Sequence, residues 1–176
     1  MVAGLLMSSG CGNSAMDAAP PAAVDPNTFD RVLSMPLPNA KLTDLRDTFN
    51  EARGGERRHE ATDIVAARGT PVLAVEDGVI QKLFLSKPGG LTIYQFDPSK
   101  RFCYYYAHLN GYVSGMKEGM AVTRGQVIGY VGTTGNAPPQ SPHLHFGITI
   151  LGPEKKWYGG TPIDPYPFLV AALKRH

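Results

Sequence analysis

Cysteine is nearly absent from this chain of 176 residues: Cys11 lies near the start and Cys103 inside an aromatic run. Two cysteines make no disulfide framework, and a chain of this length buries enough surface to fold without one. Cys103 reads as a small buried hydrophobe. No apolar run approaches the roughly 18 residues of a membrane-spanning helix, so no integral membrane protein is expected. Excess charge of one sign is missing too. The formal net charge is +2, Lys and Arg are scattered, and no basic stretch with interleaved aromatics appears, so a nucleic-acid partner is not expected. What is present is 43% hydrophobic and 18% charged residues with 20 Gly and 15 Pro, the balance of a compact, turn-rich, β-dominated globule rather than a helical bundle or a disordered chain.

The organisation is one domain with a tail. The opening MVAGLLMSSGCGN reads like the end of a secretory signal, an apolar run and small residues before Cys11. It is similar to a bacterial lipoprotein signal, although it has no basic start, its apolar run is short, and Ser8 stands where Leu is usual. Lipidation of Cys11, giving a membrane tether, is the expectation drawn from it. Residues 12 to about 38, rich in Ala, Pro, Asn, Asp and Ser, read as a linker, so the boundaries expected are a signal-like segment and linker over 1–38 and a folded domain over 39–176. The stretch Leu42 to Phe49 fits a short helix or a strand equally, and Gly54-Gly55 opens a turn.

Beyond His59 the chain is punctuated into short strands. Pro71 to Val75 and Gly78 to Leu85 are strand-like, and Asp77-Gly78 between them predicts a hairpin turn. Leu91 to Phe96 alternates, Asp97-Pro98-Ser99-Lys100 is a turn, and RFCYYYAHL returns as a strand, as in an antiparallel meander. EGMAVTRGQVIGYVG repeats short apolar pairs between glycines, HLHFGITIL is a last strong strand, and PYPFLVAALKRH suits a terminal helix.

Four of the five histidines, His59, His108, His143 and His145, sit in ligand-like contexts; His176 is terminal. In HLH, successive strand side chains alternate, so His143 and His145 share a face and Leu144 takes the other. HEATD places His59 and Asp63 four apart, which keeps both on one face of a helix or a strand; the β-rich context favours the strand. His59, Asp63 and His145 together form a donor set suited to Zn²⁺ that leaves a fourth tetrahedral position open, as in catalytic sites. Neither HExxH nor HxxEH occurs, which excludes the helical zinc proteases with a glutamate base. Proton handling then falls to the two remaining imidazoles, His108 and His143. By period-2 alternation Tyr104 and Tyr106 share the face of His108, and either hydrogen-bonds substrate or packs beneath it. Asn136 lines a groove or serves a turn.

The segments RRHEATDIVAARGTPVLAVEDGVI, YYYAHL, MAVTRGQVIGYVGTTGN and PHLHF, spanning about Arg57 to Ile148, resemble the lysostaphin-like zinc endopeptidases that cut peptide bonds in bacterial peptidoglycan. The resemblance implies an all-β fold, an antiparallel sandwich with short terminal helical or irregular segments and a metal groove. It implies one Zn²⁺ on His59, Asp63 and His145, with His108 and His143 as catalytic histidines. It further implies a peptidoglycan stem or cross-link peptide as substrate, a monomer, and a cell-envelope location, periplasmic or as an outer-membrane lipoprotein, with secretion as the alternative. With the signal-like start, direct cross-links are the favoured bond. Three positions depart from the pattern: Ala61 replaces the usual Gly of HxGxD, NAPPQSP lengthens the loop before His143, and Gly147 follows HLHF where Glu is frequent. An inactive regulator on the same fold, activating cell-wall amidases, is the alternative; such members lack ligands, and none is missing here. A lipoyl- or biotin-carrier hairpin over GMAVTRGQVIGYVG is disfavoured, because no Lys lies between Lys117 and Lys155 to carry the group.

Overall fold

The structure, a computed structural model, describes residues 29–52 and 58–175; the expectations for Cys11, for most of the linker and for Gly54-Gly55 lie outside the described residues. A 3-10 turn, Leu42–Asp44, precedes β1 (Leu45–Arg46), β2 (Thr62–Val65), β3 (Pro71–Leu73), β4 (Gly78–Ser86) and β5 (Gly90–Phe96). There follow β6 (Phe102–Tyr112), β7 (Ala121–Val122), β8 (Val127–Val131), β9 (His143–Ile150), β10 (Thr161–Ile163) and one helix, α1 (Tyr166–Leu173). Every ladder is antiparallel. The main ribbon runs β1-β2-β9-β6-β5-β4-β7, with β10 on the edge of β9 and β3 paired to β8, which pairs β6. The all-β expectation holds, and among the described residues the α-helix lies at the C-terminal end.

Strand β6 organises the whole. Its first half, Phe102 to Ala107, pairs β9, and from Leu109 it pairs β8 instead. The sheet folds over at that change of partner, so that Val72, Ile128 and Val131 of the β3/β8 layer join Ile64, Tyr106, Leu144 and Phe146 of the main ribbon in one apolar cluster. Two layers around one core is the ordinary way to bury the apolar faces of sheets.

Two expectations are corrected. Pro71–Leu73 and Gly78–Ser86 are strands, but they do not form a hairpin at Asp77-Gly78: β3 pairs β8 and β4 pairs β5 and β7. The glycine is required by contact rather than by turn geometry, since a Cβ on Gly78 would lie 2.2 Å from the Phe96 carbonyl oxygen. Asp77 accepts a hydrogen bond from the Arg124 backbone N–H at 2.8 Å. The expected linker, for its part, does not extend to residue 38. Phe29, Leu33, Met35 and Leu37 are buried in the main core, the Leu73 N–H donates to the Pro36 carbonyl at 2.8 Å, and the Ser34 N–H donates to Val75 at 2.9 Å. Phe29 packs on Phe168 of α1 with ring centres 4.5 Å apart. Alternating apolar residues spaced by Pro carry too little periodicity to mark this segment as core in advance.

Candidate metal centre

Strands β2, β9 and β6 lie side by side, and their register places Asp63 opposite His145 and His145 opposite Ala107. Directly opposed residues of an antiparallel ladder point to the same face. Asp63 and His145 therefore share one face above the small Ala107, while Ile64, Leu144 and Tyr106, all fully buried, point into the core. His59 reaches the same place from outside the strand. The chain bends at Glu60, whose φ of +56° is left-handed, and is held by His59 N–H to Glu51 at 2.9 Å and Glu60 N–H to Phe49 at 3.0 Å. Ala61, the replacement for the usual glycine, is buried beside this bend.

His59 Nε2 lies 2.9 Å from His145 Nδ1, and both lie 3.1 Å from Asp63 Oδ1. Ligands about 2.0–2.1 Å from a tetrahedral Zn²⁺ stand about 3.3 Å apart, so the triangle is close to the size an ion requires. Burial alone would raise the Asp63 carboxyl, but hydrogen bonds and charge from His145 and His59 outweigh it and hold the group well below the usual carboxylate range. Burial lowers His145, against the opposing pull of the Asp63 carboxylate. Two imidazoles and a carboxylate crowded at one point form a donor set that a central cation satisfies at once, and these three side chains fit a divalent metal.

The other two histidines stand beside the triangle. His143 Nδ1 is 2.8 Å from the Ser141 carbonyl, so Nδ1 carries the proton and donates, and Nε2 presents a lone pair 3.8 Å from Asp63 Oδ1. His108 Nδ1 donates in the same way to the Thr134 carbonyl at 2.9 Å, which leaves its Nε2 as the basic atom. Burial pushes His108 down to about 4. The His108 and His143 rings lie 4.9 Å apart, and those of His108 and His145 5.5 Å.

His108 occupies the point where β6 exchanges β9 for β8, with a left-handed φ of +61° and a register shift on both sides. This irregularity turns its ring out of the alternation and onto the groove face. The face expected for Tyr104 and Tyr106 is thereby corrected. Both are fully buried in the core, and it is Tyr105 that lines the groove with His108 and stands 5.7 Å edge-on from His145. Strict period-2 counting fails wherever a bulge intervenes.

The groove, about 580 Å³, is walled by Pro88 and Gly89 on one side and by Asn136, Ala137, Pro138 and Ser141 of the Pro-rich loop on another. The loops meet through bare backbone: a Cβ on Gly135 would fall 2.3 Å from the Gly90 nitrogen, and Thr134 accepts the Leu91 N–H at 3.0 Å, which fixes the carbonyl that orients His108. Arg46 and Arg58 also line the groove; nothing in their sequence neighbourhood distinguished them from surface arginines. Cys103 is buried and free, with its thiol pushed up by burial. No described helix is long and apolar enough to cross a membrane.

The profile described as Peptidase family M23 matches residues 57–165. Among curated proteins, the L-Ala–D-Glu endopeptidase of Bacillus subtilis (strain 168) is 39% identical over 145 residues, covering 78% of this chain and 43% of that protein. The peptidoglycan DD-endopeptidase ShyC of Vibrio cholerae is 35% identical over 116 residues, covering 63% and 26%. The solved catalytic domain of lysostaphin from Staphylococcus simulans superimposes with a TM-score of 0.58 at 32% identity, over 68% of this chain and 85% of that one. The chain spans less than half the length of these two curated relatives.

Proposed function

The chain belongs to peptidase family M23, and on that premise we propose that it is a zinc endopeptidase hydrolysing amide bonds in the peptide part of peptidoglycan. The observation that carries the reading is the convergence of His59 Nε2, Asp63 Oδ1 and His145 Nδ1 within 3.1 Å of one another in the groove, beside two further imidazoles with backbone-fixed tautomers. Those three residues would hold the ion. Zn²⁺, when bound, supplies Lewis acidity that lowers the pKa of water and polarises an amide carbonyl.

The chain's own side chains supply the rest. His143, with Nδ1–H committed to Ser141, offers Nε2 as a base to the attacking water. His108, with Nδ1–H committed to Thr134, holds its Nε2 toward the groove as a second acceptor, and the proton that the attacking water gives up to these imidazoles is the one returned to the departing amine. Fixing each imidazole through a backbone carbonyl keeps it in one tautomer and one orientation. Proteins named for peptidoglycan substrates among the relatives support stem or cross-link peptides as the target, and with it a site of action in the cell envelope. Lipidation of Cys11 would tether the domain there.

The alternative of an inactive amidase regulator is separated by one experiment. Purified chain loaded with Zn²⁺ is expected to bind one equivalent and to convert muropeptides, whereas His145→Ala loses the metal and at least about 10³-fold in kcat/KM, about 4 kcal/mol of transition-state stabilisation. Muropeptides left intact by a fully zinc-loaded chain would overturn the catalytic reading in favour of the regulator.

A further inference from the structure

A second cavity, about 300 Å³, shares His59, Tyr105 and His145 with the groove and is completed by Tyr94, Trp157 and Tyr158. Its rings form an unbroken series: Trp157 to Tyr94 4.7 Å, Tyr94 to Tyr105 4.7 Å, and Tyr105 to His145 5.7 Å between centres. Tyr158 stands edge-on to Trp157 at 5.1 Å and is 57% exposed. Trp157 and Tyr158 come from residues 151–160, which connect β9 to β10 where two residues would close a hairpin. The longer connection brings two large aromatics to the edge of the metal centre.

Gly147 lines this cavity without a side chain. This residue opposes Tyr105 in the β9–β6 ladder, two positions beyond His145 on the same face. Its φ is not left-handed, and a Cβ there would meet nothing closer than Tyr105 Cβ at 3.6 Å. The backbone thus does not require glycine, and a side chain at 147 would project into the cavity. A strand glycine without a conformational reason marks a place left open for close approach.

We propose that this cavity is a subsite for a pyranose ring of the glycan to which the substrate peptide is joined, an inference that rests on the peptidoglycan reading above. The faces of Trp157, Tyr94 and Tyr105 offer flat apolar surface to the C–H face of a sugar. Thr149 and Glu60 in the same wall, with the exposed Tyr158 at its rim, offer partners for its hydroxyl and amide groups. An aliphatic side chain would leave those polar groups unpaired. The volume is at the lower end of the about 300–1,000 Å³ of small-ligand pockets, room for a single ring. Position decides the rest. Because the wall includes two metal-ligating imidazoles, and a residue spans only about 3.3–3.6 Å, a ring seated here lies one or two residues from the scissile bond. The cut then falls at the top of the stem, beside the sugar, and not in the cross-link.

Trp157 is the single tryptophan, so its fluorescence reports on this cavity alone. With the full zinc-loaded chain, the peptide-free disaccharide of peptidoglycan is expected to change the emission saturably, and Gly147→Glu to abolish the change. In hydrolysis, kcat/KM for a stem peptide carrying the disaccharide should exceed that for the same peptide without it by about tenfold or more. Both Gly147→Glu and Trp157→Ala should reduce that ratio at least about fivefold, their folding checked by thermal melting. A ratio near one in the parent chain, or equal losses on both substrates in the variants, would overturn the sugar subsite, the latter pointing to a peptide side chain in the cavity. If neither substrate is cut while Trp157 still responds to the disaccharide, the catalytic reading falls and the sugar site stands. If both are cut equally without an emission change, the reverse holds.

Discussion

The two faces of β9 carry different kinds of information. Leu144, Phe146, Ile148 and Ile150 are all buried in one apolar cluster on the inner face, and neighbouring strands supply residues of the same kind. On the outer face His143, His145, Gly147 and Thr149 line cavities, and the first three meet different surroundings: a backbone carbonyl, a carboxylate, and Tyr105 across the ladder. The inner face depends on volume and is forgiving of detail. The outer face depends on atoms placed to within a few tenths of an ångström, and stability is not what selects its residues.

The sharpest way to break this contrast is to exchange the consequences. Phe146→Ala removes a fully buried ring from the inner face and is expected to cost about 3–5 kcal/mol of unfolding free energy, read as a lower urea midpoint at unchanged slope, while zinc stoichiometry in the folded fraction stays at one. A loss of zinc from protein that is still folded would show that the inner face also sets the ligand geometry. His143→Ala on the outer face should do the opposite. It is expected to lower kcat by about 10²-fold, about 2.7 kcal/mol, with the urea midpoint shifted little and zinc retained; zinc loss would make His143 a ligand instead of a base.

The smallest effect concerns charge buried away from either face. Asp97 accepts backbone N–H groups from Ser99 at 3.0 Å and from Arg101 and Phe102 at 2.7 Å each, and pairs with Arg31 at 2.6 Å. Burial raises its pKa, but these hydrogen bonds outweigh it, so the net shift is downward. A depressed carboxyl contributes stability that is present above the ordinary carboxylate pKa and is lost as pH falls through it toward the folded value. Glu76, raised by burial despite the nearby Arg31, acts in the opposite sense, its contribution fading as pH rises through its folded value. Urea midpoints should therefore fall below about pH 4, and Asp97→Asn, less stable at neutral pH, should flatten that fall. An equally steep acid limb in the variant would assign the effect to other carboxylates.

The strands were legible where alternation was clean. Leu91 to Phe96 and HLHFGITIL agree with β5 and β9 to within one residue, because apolar volume on alternating positions is a local property, whereas the aromatic run ending at Leu109 stops three residues short of the end of β6. The HLH spacing does fix a shared face for His143 and His145, but His59 stands outside β2 and meets Asp63 only through the left-handed bend at Glu60. Elsewhere the outcome depended on partners remote in the chain. Asp77-Gly78 looked like a hairpin because local chemistry cannot know that β8 will claim β3. Period-2 counting puts Tyr104 and Tyr106, not Tyr105, on the face of His108, because the bulge at His108 follows from β6 changing partners. Arg46 and Arg58 gave no signal.

By itself, then, the sequence determined that the fold would be β, and it singled out the side chains, His59, Asp63 and His145 with His108 and His143, that the fold gathers in one groove. These are properties of side-chain type and short-range periodicity. Only the tertiary structure decided the direction in which each group acts. The carbonyls of Thr134 and Ser141 that fix the histidine tautomers, the left-handed turns at Glu60 and His108 that aim two rings, and the empty space above Gly147 arise from loops and strands brought together across the fold, where backbone geometry and long-range packing govern.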